Sequence, residues 1–332
     1  MTNGAGLAAE EGLLLDSVPA SLCDVTVVIL TYNEAMHVAR SIASVKPFAR
    51  DILVVDSFSI DDTVALAEAA GARVLKNKFV NYSKQFQWGL DHGGIETEWV
   101  LRLDADEIIE PDLAATIQRC LHDLPTDIAG VNFKRKHIFL GRWVKHGGRY
   151  PLVLLRLWRT KQGRIEDRWM DEHIVVWGGR TIDFEGGFAD HNLNDLTFFT
   201  DKHNKYATRE AIDVLSQKYE LLRQDRALNS QSASRQAHLK RWFKEKIYNR
   251  LPLWVGPTGY FFYRVFVQRG ILDGQTGMIY HVLQGFWYRY LVNAKIREYE
   301  LAMADCRTAE ERLARLTHLT GHDLVSSLNG VD

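Results

Sequence analysis

Two aspartates separated by one residue, Asp104 and Asp106, are the side chains best suited to chemistry in this sequence. They follow an apolar run from Trp99 to Leu103 that predicts a buried strand, and the two-residue period of a strand aims both carboxylates the same way. Neighbouring carboxylates repel unless a cation lies between them, and Mg²⁺ or Mn²⁺ commonly binds one or two carboxylates together with substrate phosphates. The pattern predicts a metal site for a diphosphate ligand. The structural alternative is an acidic loop that caps the helix starting at Pro111.

Polar residues also follow two other predicted strands. The run from Val25 to Leu30 is followed by Thr31-Tyr32-Asn33-Glu34, and the run from Asp51 to Val55 is followed by Asp56-Ser57. Ligands of open α/β sheets bind at the carboxyl ends of the strands. Asp56 is therefore placed to accept hydrogen bonds from a base or ribose, with an Asx turn as its structural alternative. The first strand lacks a GxGxxG turn, which argues against a dinucleotide cofactor.

The first 125 residues alternate between apolar strands and amphipathic helices, which predicts a doubly wound sheet. We expect Asn33 to cap the first helix. From residue 128 to about 188, shorter extended segments separated by glycines predict smaller mixed strands, and residues beyond 196 have a helical pattern. The segment from Lys145 to Tyr150 is either a mobile loop that grips the diphosphate or the acceptor, or a hairpin turn.

Composition narrows the function classes. The chain has 332 residues and a formal net charge of −1, which does not suit a dedicated nucleic-acid binder. Its 3 cysteines are far apart, so a disulfide framework or a zinc site is not expected. The N-terminus lacks the pattern of a signal peptide, and no apolar run is long enough for a transmembrane helix.

Three motifs in the order VVILTYNE, ILVVDSFSIDDT and LRLDADE resemble the signature of family 2 glycosyltransferases. The resemblance implies a GT-A fold, an α/β architecture with a Rossmann-like, mainly parallel sheet. It also implies a UDP- or GDP-activated sugar as donor, UDP being the expected nucleotide, and Mn²⁺ or Mg²⁺ as cofactor. By the same resemblance Asp104 and Asp106 bind the metal. The nucleotide site would comprise Thr31, Tyr32, Glu34, Asp56, Lys84 and Asp104. An ordinary exposed lysine is the alternative for Lys84.

The segment DRWMDEHIVVWGG resembles the acidic motif that supplies the general base in this family. Asp171 and Glu172 are the candidate bases, and His173 is chemically suitable as a third. An ion pair of either carboxylate with Arg168 or Arg180 is the structural alternative.

A histidine after the catalytic motif completes the metal site in some GT-A enzymes. His191, in Asp190-His191-Asn192, resembles that residue. A surface or core histidine without a metal is the alternative interpretation.

The region from Arg235 to Arg269 is basic and rich in aromatic residues. The region contains one acidic residue, Glu245, and the basic residues Lys240, Arg241, Lys244, Lys246, Arg250 and Arg264. Aromatic rings and clustered cations suit an anionic membrane surface, whereas a helical subdomain with an aromatic core is the alternative. The segment ILDGQTGMIYHVLQGFWYRYLVNAKIRE resembles the tails of bacterial family 2 enzymes of lipopolysaccharide core, capsular or exopolysaccharide synthesis. That resemblance implies a lipid-linked saccharide acceptor and a peripheral location on the cytoplasmic face of the inner membrane.

These features together predict a flexible N-terminus (1–23), a catalytic domain (24–195) and a helical C-terminal region (196–332) that contacts membrane or acceptor. The catalytic domain divides into a nucleotide-binding half (24–125) and an acceptor half (126–195). The predicted activity is a metal-dependent, inverting hexosyl transfer. One alternative is a nucleotidyltransferase, which would need a glycine- and Lys/Arg-rich loop after the first strand. The other is a membrane-associated nucleotide-binding protein without turnover.

Overall fold

A computed structural model describes residues 22–166, 173–221, 252–322 and 324. Its largest element is a nine-stranded sheet with the strand order β3-β2-β1-β4-β8-β6-β11-β5, with β7 paired to β6. A separate two-stranded sheet pairs β9 with β10. The strands are β1 (Cys23–Thr31), β2 (Ala49–Asp56), β3 (Arg73–Lys76), β4 (Trp99–Asp104), β5 (Glu107–Ile109), β6 (Ile128–Phe139), β7 (Arg142–Val144), β8 (Leu152–Arg159), β9 (Gly163–Ile165), β10 (Ile174–Val176) and β11 (Arg180–Asp190).

The parallel half of the sheet is buried on both faces, as its continuous apolar strands predict. Alternate residues of β1 face opposite sides: Val27 and Ile29 belong to one apolar cluster, and Val28 belongs to another. The helices on the first side are α1 (Val38–Val45), α2 (Thr63–Ala69) and α4 (Pro111–Cys120), while α3 (Tyr82–His92) covers the second side through Phe86. The doubly wound arrangement expected for this part of the chain is confirmed.

Strand register brings the ends of three strands together. In the parallel pairings of β1, Thr31 lies opposite Asp56 of β2, and Leu30 lies opposite Asp104 of β4. The polar residues that follow these strands therefore share one edge of the sheet.

The second half of the sheet is mixed. Strand β8 runs antiparallel to both β4 and β6, and β11 runs parallel to β6 and antiparallel to β5. Because β5 directly follows the Asp104–Asp106 turn, the pairing of β11 with β5 carries the residues after Asp190 to that turn. The predicted nucleotide and acceptor halves thus share one continuous sheet.

Helices follow the sheet, as predicted for the C-terminal region. They are α5 (Leu196–Tyr219), α6 (Val255–Phe262), α7 (Gly274–Tyr280), α8 (Tyr288–Ala302) and α9 (Ala309–Thr320), with π-helical turns at Tyr263–Val267 and His281–Trp287 and a 3₁₀ turn at Gly270–Asp273. Tyr280 packs with Phe139 and Val144, which joins this region to the nine-stranded sheet. Within the described ranges, no helix is both long and apolar enough to span a membrane.

Two expectations are wrong. Asn33 does not cap α1: its φ of 56° places it in the left-handed region, and the N-cap is His37, four residues later. Arg264 is not part of an exposed basic surface, since it is only 1% exposed. The other basic residues of the predicted surface lie outside the described residues; they are Lys240, Arg241, Lys244, Lys246 and Arg250.

Candidate functional site

Asp56 is held in place by its neighbours at the end of β2. Thr31 Oγ1 donates a hydrogen bond to Asp56 Oδ1 at 2.9 Å, and the Ser59 backbone N–H donates to Asp56 Oδ2 at 2.8 Å. Asp56 is fully buried, so these bonds fix the direction of a carboxylate that would be costly to bury without partners. The Ser59 N–H lies three residues after Asp56, one more than the spacing of the Asx turn given above as the structural alternative.

The loop after β1 is tied to the loop after β2. Asn33 exchanges hydrogen bonds with Ser59 and Ile60, and the Glu34 N–H donates to Thr63 Oγ1 at 2.7 Å. The left-handed backbone of Asn33 is one that asparagine tolerates better than most residues. The two loops therefore form one rigid wall beside Asp56.

His37 connects this wall to the far end of the sheet. Its Nε2 accepts a hydrogen bond from the Leu193 N–H at 2.9 Å, and its Nδ1 lies 2.6 Å from Glu34 Oε2. Because Nε2 is an acceptor, the proton lies on Nδ1 and is donated to Glu34. The buried imidazole thus orients Glu34 and fixes the segment after β11 against it.

Asp104 lies among cationic and phenolic groups. The Tyr82 hydroxyl donates to Asp104 Oδ1, and the Arg102 and Arg156 guanidinium groups lie 3.7 and 3.8 Å from its carboxylate oxygens. Burial acts to raise the pKa of Asp104, but the charges of Arg102 and Arg156 outweigh it and leave the pKa below its usual value. Asp104 is consequently ionised at neutral pH, as a metal ligand must be.

Asp106 lies among acids instead. Burial raises the pKa of Asp106, and the negative charges of Asp190 and Asp104 raise it further. Asn192 Nδ2 donates to Asp106 Oδ2 at 2.9 Å, and the His191 N–H donates to the Asp106 carbonyl at 3.0 Å. The Asp104–Asp106 turn is therefore built against residues 190–192, more than eighty positions further along the chain.

Two cations border this acidic group. Arg40 donates through Nη2 to the His191 carbonyl, and more weakly to the Asp106 carbonyl at 3.5 Å. Burial acts to lower the pKa of Lys202 on α5, but Tyr206 and the carboxylates of Asp106 and Asp190 raise the pKa above its usual value. Both side chains remain charged and are available to an anionic ligand.

Asp190 and Glu107 lie opposite each other in the pairing of β11 with β5, directly after the Asp104–Asp106 turn. His137 Nδ1 lies 3.0 Å from Asp190 Oδ2, and although burial opposes it this bond holds the pKa of Asp190 well below its ordinary value. Burial raises the pKa of Glu107 to about 8 despite its 2.6 Å contact with Arg156. Glu107 Oε2 accepts the Asp104 N–H at 3.0 Å, so it positions the backbone of the turn.

The Asp104–Asp106 pair fits a hard divalent cation. Its donors are carboxylate oxygens, and burial together with the negative charges of Asp190 and Asp104 raises the pKa of Asp106. No group of three or more His, Cys, Asp and Glu side chains within the described ranges is arranged to hold a metal ion alone. Two protein carboxylates completed by substrate phosphates are a common arrangement for Mg²⁺.

Comparison with known proteins agrees with this geometry. Residues 26–185 match the family described as Glycosyl transferase family 2, and they include the strands that carry the acidic pair. The matched segment, just under half of the chain, is thus similar to family 2 glycosyltransferases. Its α/β sheet, with helices on both faces, is the GT-A fold expected from the sequence.

Relatives of this chain are similar to it over a short stretch. An uncharacterized glycosyltransferase of Rickettsia felis is 41% identical over 92 residues, which is 27% of this chain and 31% of that protein. One from Rickettsia conorii is 42% identical over 92 residues, covering the same shares. The chain thus spans about a third of the length of these curated relatives. Glucosyl-3-phosphoglycerate synthase from Mycobacterium tuberculosis, solved with Mn²⁺, uridine diphosphate and glucosyl-3-phosphoglycerate, is 24% identical over 34% of this chain and 43% of its own, with a TM-score of 0.29.

The remaining predicted site residues differ in how the structure places them. Tyr32 is 59% exposed at the rim of the site, and Lys84 is exposed on α3. Burial lowers the pKa of His191, which favours the neutral imidazole that binds metals. Its metal role stays a prediction.

The two candidate bases, Asp171 and Glu172, lie outside the described residues. One part of their structural alternative can be examined, because Arg180 Nε donates to Asp127 Oδ2 at 2.8 Å. Arg180 thus already has a carboxylate partner.

Several residues of the site had no motif to reveal them. Tyr82, Arg156 and His137 act through contacts between distant positions. A weak signal existed for Arg102 and Arg156, since each lies in an otherwise apolar strand, where a cation needs an acidic partner.

Proposed function

We propose that the protein transfers a hexosyl group from a nucleoside diphosphate sugar, with UDP as the expected nucleotide, to a hydroxyl of a lipid-linked saccharide. The observation that carries the proposal is the convergence of Asp56, Asp104 and Asp106 at one edge of the sheet, in a segment that matches family 2 glycosyltransferases. Asp56 offers a buried acceptor for a base or ribose, while the Asp104–Asp106 turn suits a metal-bound diphosphate.

In this mechanism Asp104 and Asp106 would hold Mn²⁺ or Mg²⁺ together with the donor's phosphates, and His191, the third ligand implied by the family resemblance, would have to move its imidazole toward the pair. The ion supplies charge neutralisation to the departing diphosphate. Arg40 and Lys202 border the same acidic group and stabilise the negative charge that accumulates on the leaving oxygen. Tyr82 and Arg156 keep the carboxylate of Asp104 in one orientation.

The acceptor oxygen attacks the anomeric carbon as the bond from that carbon to the diphosphate oxygen breaks. The acceptor proton passes to Asp171 or Glu172, the bases implied by the sequence motif. Attack opposite the leaving group inverts the anomeric configuration.

A membrane-facing acceptor is supported by apolar side chains at the surface of residues 254–272. Trp254, Phe266, Val267 and Leu272 are 57%, 57%, 68% and 63% exposed. Large exposed apolar patches mark interaction sites, and aromatic residues favour the boundary between water and lipid. We propose that this surface contacts the cytoplasmic face of an anionic membrane, where the protein builds envelope glycans.

The deciding experiment incubates purified protein with a panel of UDP- and GDP-sugars in Mn²⁺, Mg²⁺ or EDTA and measures the released nucleoside diphosphate. Metal-dependent release from one donor is expected, because water replaces the acceptor slowly. Absence of both release and nucleotide binding across the panel would refute the transferase. In the same assay with acceptor, comparing Asp171→Asn with Glu172→Gln identifies the base as the variant that loses transfer but keeps donor binding.

A further inference from the structure

A second polar cluster lies outside the donor site, around the buried Arg264. Arg264 is 1% exposed and belongs to the π-helical turn after α6. Its Nη1 donates to Gln284 Oε1, whereas Nε and Nη2 are buried and have no hydrogen-bond partner. A buried cation without a carboxylate is costly and calls for a compensating anion.

The carboxylate of this cluster, Asp273, already has partners. Asp273 accepts from His146 Nδ1 at 2.7 Å and lies 3.2 Å from His281 Nε2, and the His146 N–H also donates to it. The 0%-exposed His281 retains an unpartnered Nδ1. The Asp273 carboxylate therefore contacts two imidazoles, and it makes no hydrogen bond with Arg264.

A second arginine contacts the same aromatic ring. The Arg149 guanidinium carbon lies 5.4 Å from the centre of the Tyr280 ring, and that of Arg264 lies 5.2 Å from it. Burial lowers the pKa of Arg264, and the charge of Arg149 lowers it further. Arg149 is only half-buried, so it forms the side of the cluster that a ligand can reach.

The local backbone is built closely around these cations. Gly147, with a φ of 65°, packs so near His281 that a Cβ atom there would collide with the imidazole, and its N–H donates to the Gln268 carbonyl at 2.9 Å. A Cβ at Gly285 would lie 3.3 Å from Arg264 Cδ. Arg264 and His281 also lie in π-helical turns, which occur frequently at functional sites.

We infer that Arg149 and Arg264 form an anion site for a phosphate or diphosphate group of the acceptor, distinct from the metal-dependent donor site. This inference rests on the proposed transferase function. The Tyr280 ring lies 4.7 Å from the His137 ring, and His137 binds Asp190 beside Asp106. An acceptor held by its phosphate at Arg149 would thus be anchored on the side of the site away from Asp56. Paired guanidinium groups suit phosphate oxygens.

The test measures binding of inorganic pyrophosphate in EDTA by calorimetry. Wild-type protein should bind, and Arg149→Gln should weaken binding by about tenfold or more through loss of charge-assisted hydrogen bonds. The matched control is Arg142→Gln, an exposed arginine on the neighbouring strand β7. Because Arg264 is buried, Arg264→Lys, checked for folding by circular dichroism, serves as the second variant.

Two further arms separate the sources of the anion. Saturating UDP with Mn²⁺ should leave pyrophosphate binding unchanged, and displacement would overturn the separate site. Phosphatidylcholine vesicles carrying a polyprenyl diphosphate should retain wild-type protein better than Arg149→Gln. Equal retention would overturn the acceptor source. Equal pyrophosphate affinity of wild type and both arginine variants, with UDP binding intact, would overturn the anion site and leave the transferase standing.

Discussion

The Tyr82 hydroxyl donates a hydrogen bond to Asp104 Oδ1. Tyr82 is the first residue of helix α3, and Asp104 is the last residue of strand β4. The Arg102 guanidinium carbon lies 4.4 Å from the centre of the Tyr82 ring, and Arg102 Nε donates to the hydroxyl at 3.1 Å. The phenol therefore transmits the position of Arg102 to the proposed metal ligand.

Tyr82→Phe removes that hydroxyl and leaves the ring packing intact. We expect Mn²⁺ affinity in the presence of UDP to fall by roughly 10- to 100-fold, the usual effect of losing a residue that orients a ligand. Calorimetric titration of Mn²⁺ measures it, with Tyr290→Phe on α8 as the control. Unchanged affinity in Tyr82→Phe would show that Asp104 does not need the bond.

Asp106→Asn keeps the shape of the turn and removes one charge. Metal-dependent release of the nucleoside diphosphate should fall by at least about 100-fold, since the ion contributes several kcal/mol to the transition state. Asp123→Asn, at a side chain 72% exposed, is the matched control. If Asp106→Asn releases the diphosphate at the wild-type rate, the metal role of Asp106 is wrong.

Asp190 gives the free energy of unfolding a specific pH dependence. Its pKa is lower in the folded protein than in the unfolded chain, so the ionised carboxylate stabilises the fold above the unfolded value of about 3.9, and the stabilisation is lost as pH falls through the folded value. Asp190→Asn should cost about 1.5–3 kcal/mol at pH 7. Urea unfolding at pH 7 and near pH 3 measures this cost.

The difference between Asp190→Asn and wild type should shrink in acid. Asp183→Asn, an exposed position on the same strand, should show little effect at either pH. A difference that stays constant with pH would mean that the charge of Asp190 contributes no stability.

Phe266→Ser combined with Val267→Ser tests the proposed membrane surface. Both side chains are more than half exposed, so the fold should tolerate the change. Losing about 2 kcal/mol of apolar transfer should weaken binding to anionic vesicles by about 30-fold in a sedimentation assay. Leu319→Ser, 43% exposed on α9, is the control. Equal sedimentation of both variants with wild type would reject this surface.

The sequence predicts the parts of the fold that local patterns determine. The buried strands β1, β2 and β4 and the helix that starts at Pro111 are confirmed, because continuous apolar runs and an N-terminal proline act within a few residues. The same patterns failed at Asn33, where bonds to Ser59 and Ile60 in the next loop hold a left-handed residue instead of a helix cap.

The part of the candidate site that lies at strand ends was predictable from the sequence. Asp104, Asp106 and Asp56 lie at strand ends, and a strand end can be recognised from the sequence. The supporting contacts of His37 with Leu193 and of Asn192 with Asp106 depend on the pairing of β11 with β5, which no local pattern encodes. Arg264 was misplaced for a related reason, since its aromatic and glycine neighbours come from three separate segments.

The hydrogen bond from Asn192 to Asp106 joins residues 86 positions apart, and it has a consequence for synthesis on the ribosome. When the nucleotide-binding strands have left the exit tunnel, β11 and the Asn192 amide have not yet reached the Asp104–Asp106 turn. Arg40 likewise still lacks the His191 carbonyl to which it later donates. The carboxylates of Asp104 and Asp106 then face water and repel each other, because β11 and residues 191–192 do not yet enclose them. We expect the nascent chain to gain tight metal binding only after β11 and residues 191–192 have emerged, so that ribosome-bound chains truncated before and after this point differ in Mn²⁺-dependent nucleotide capture.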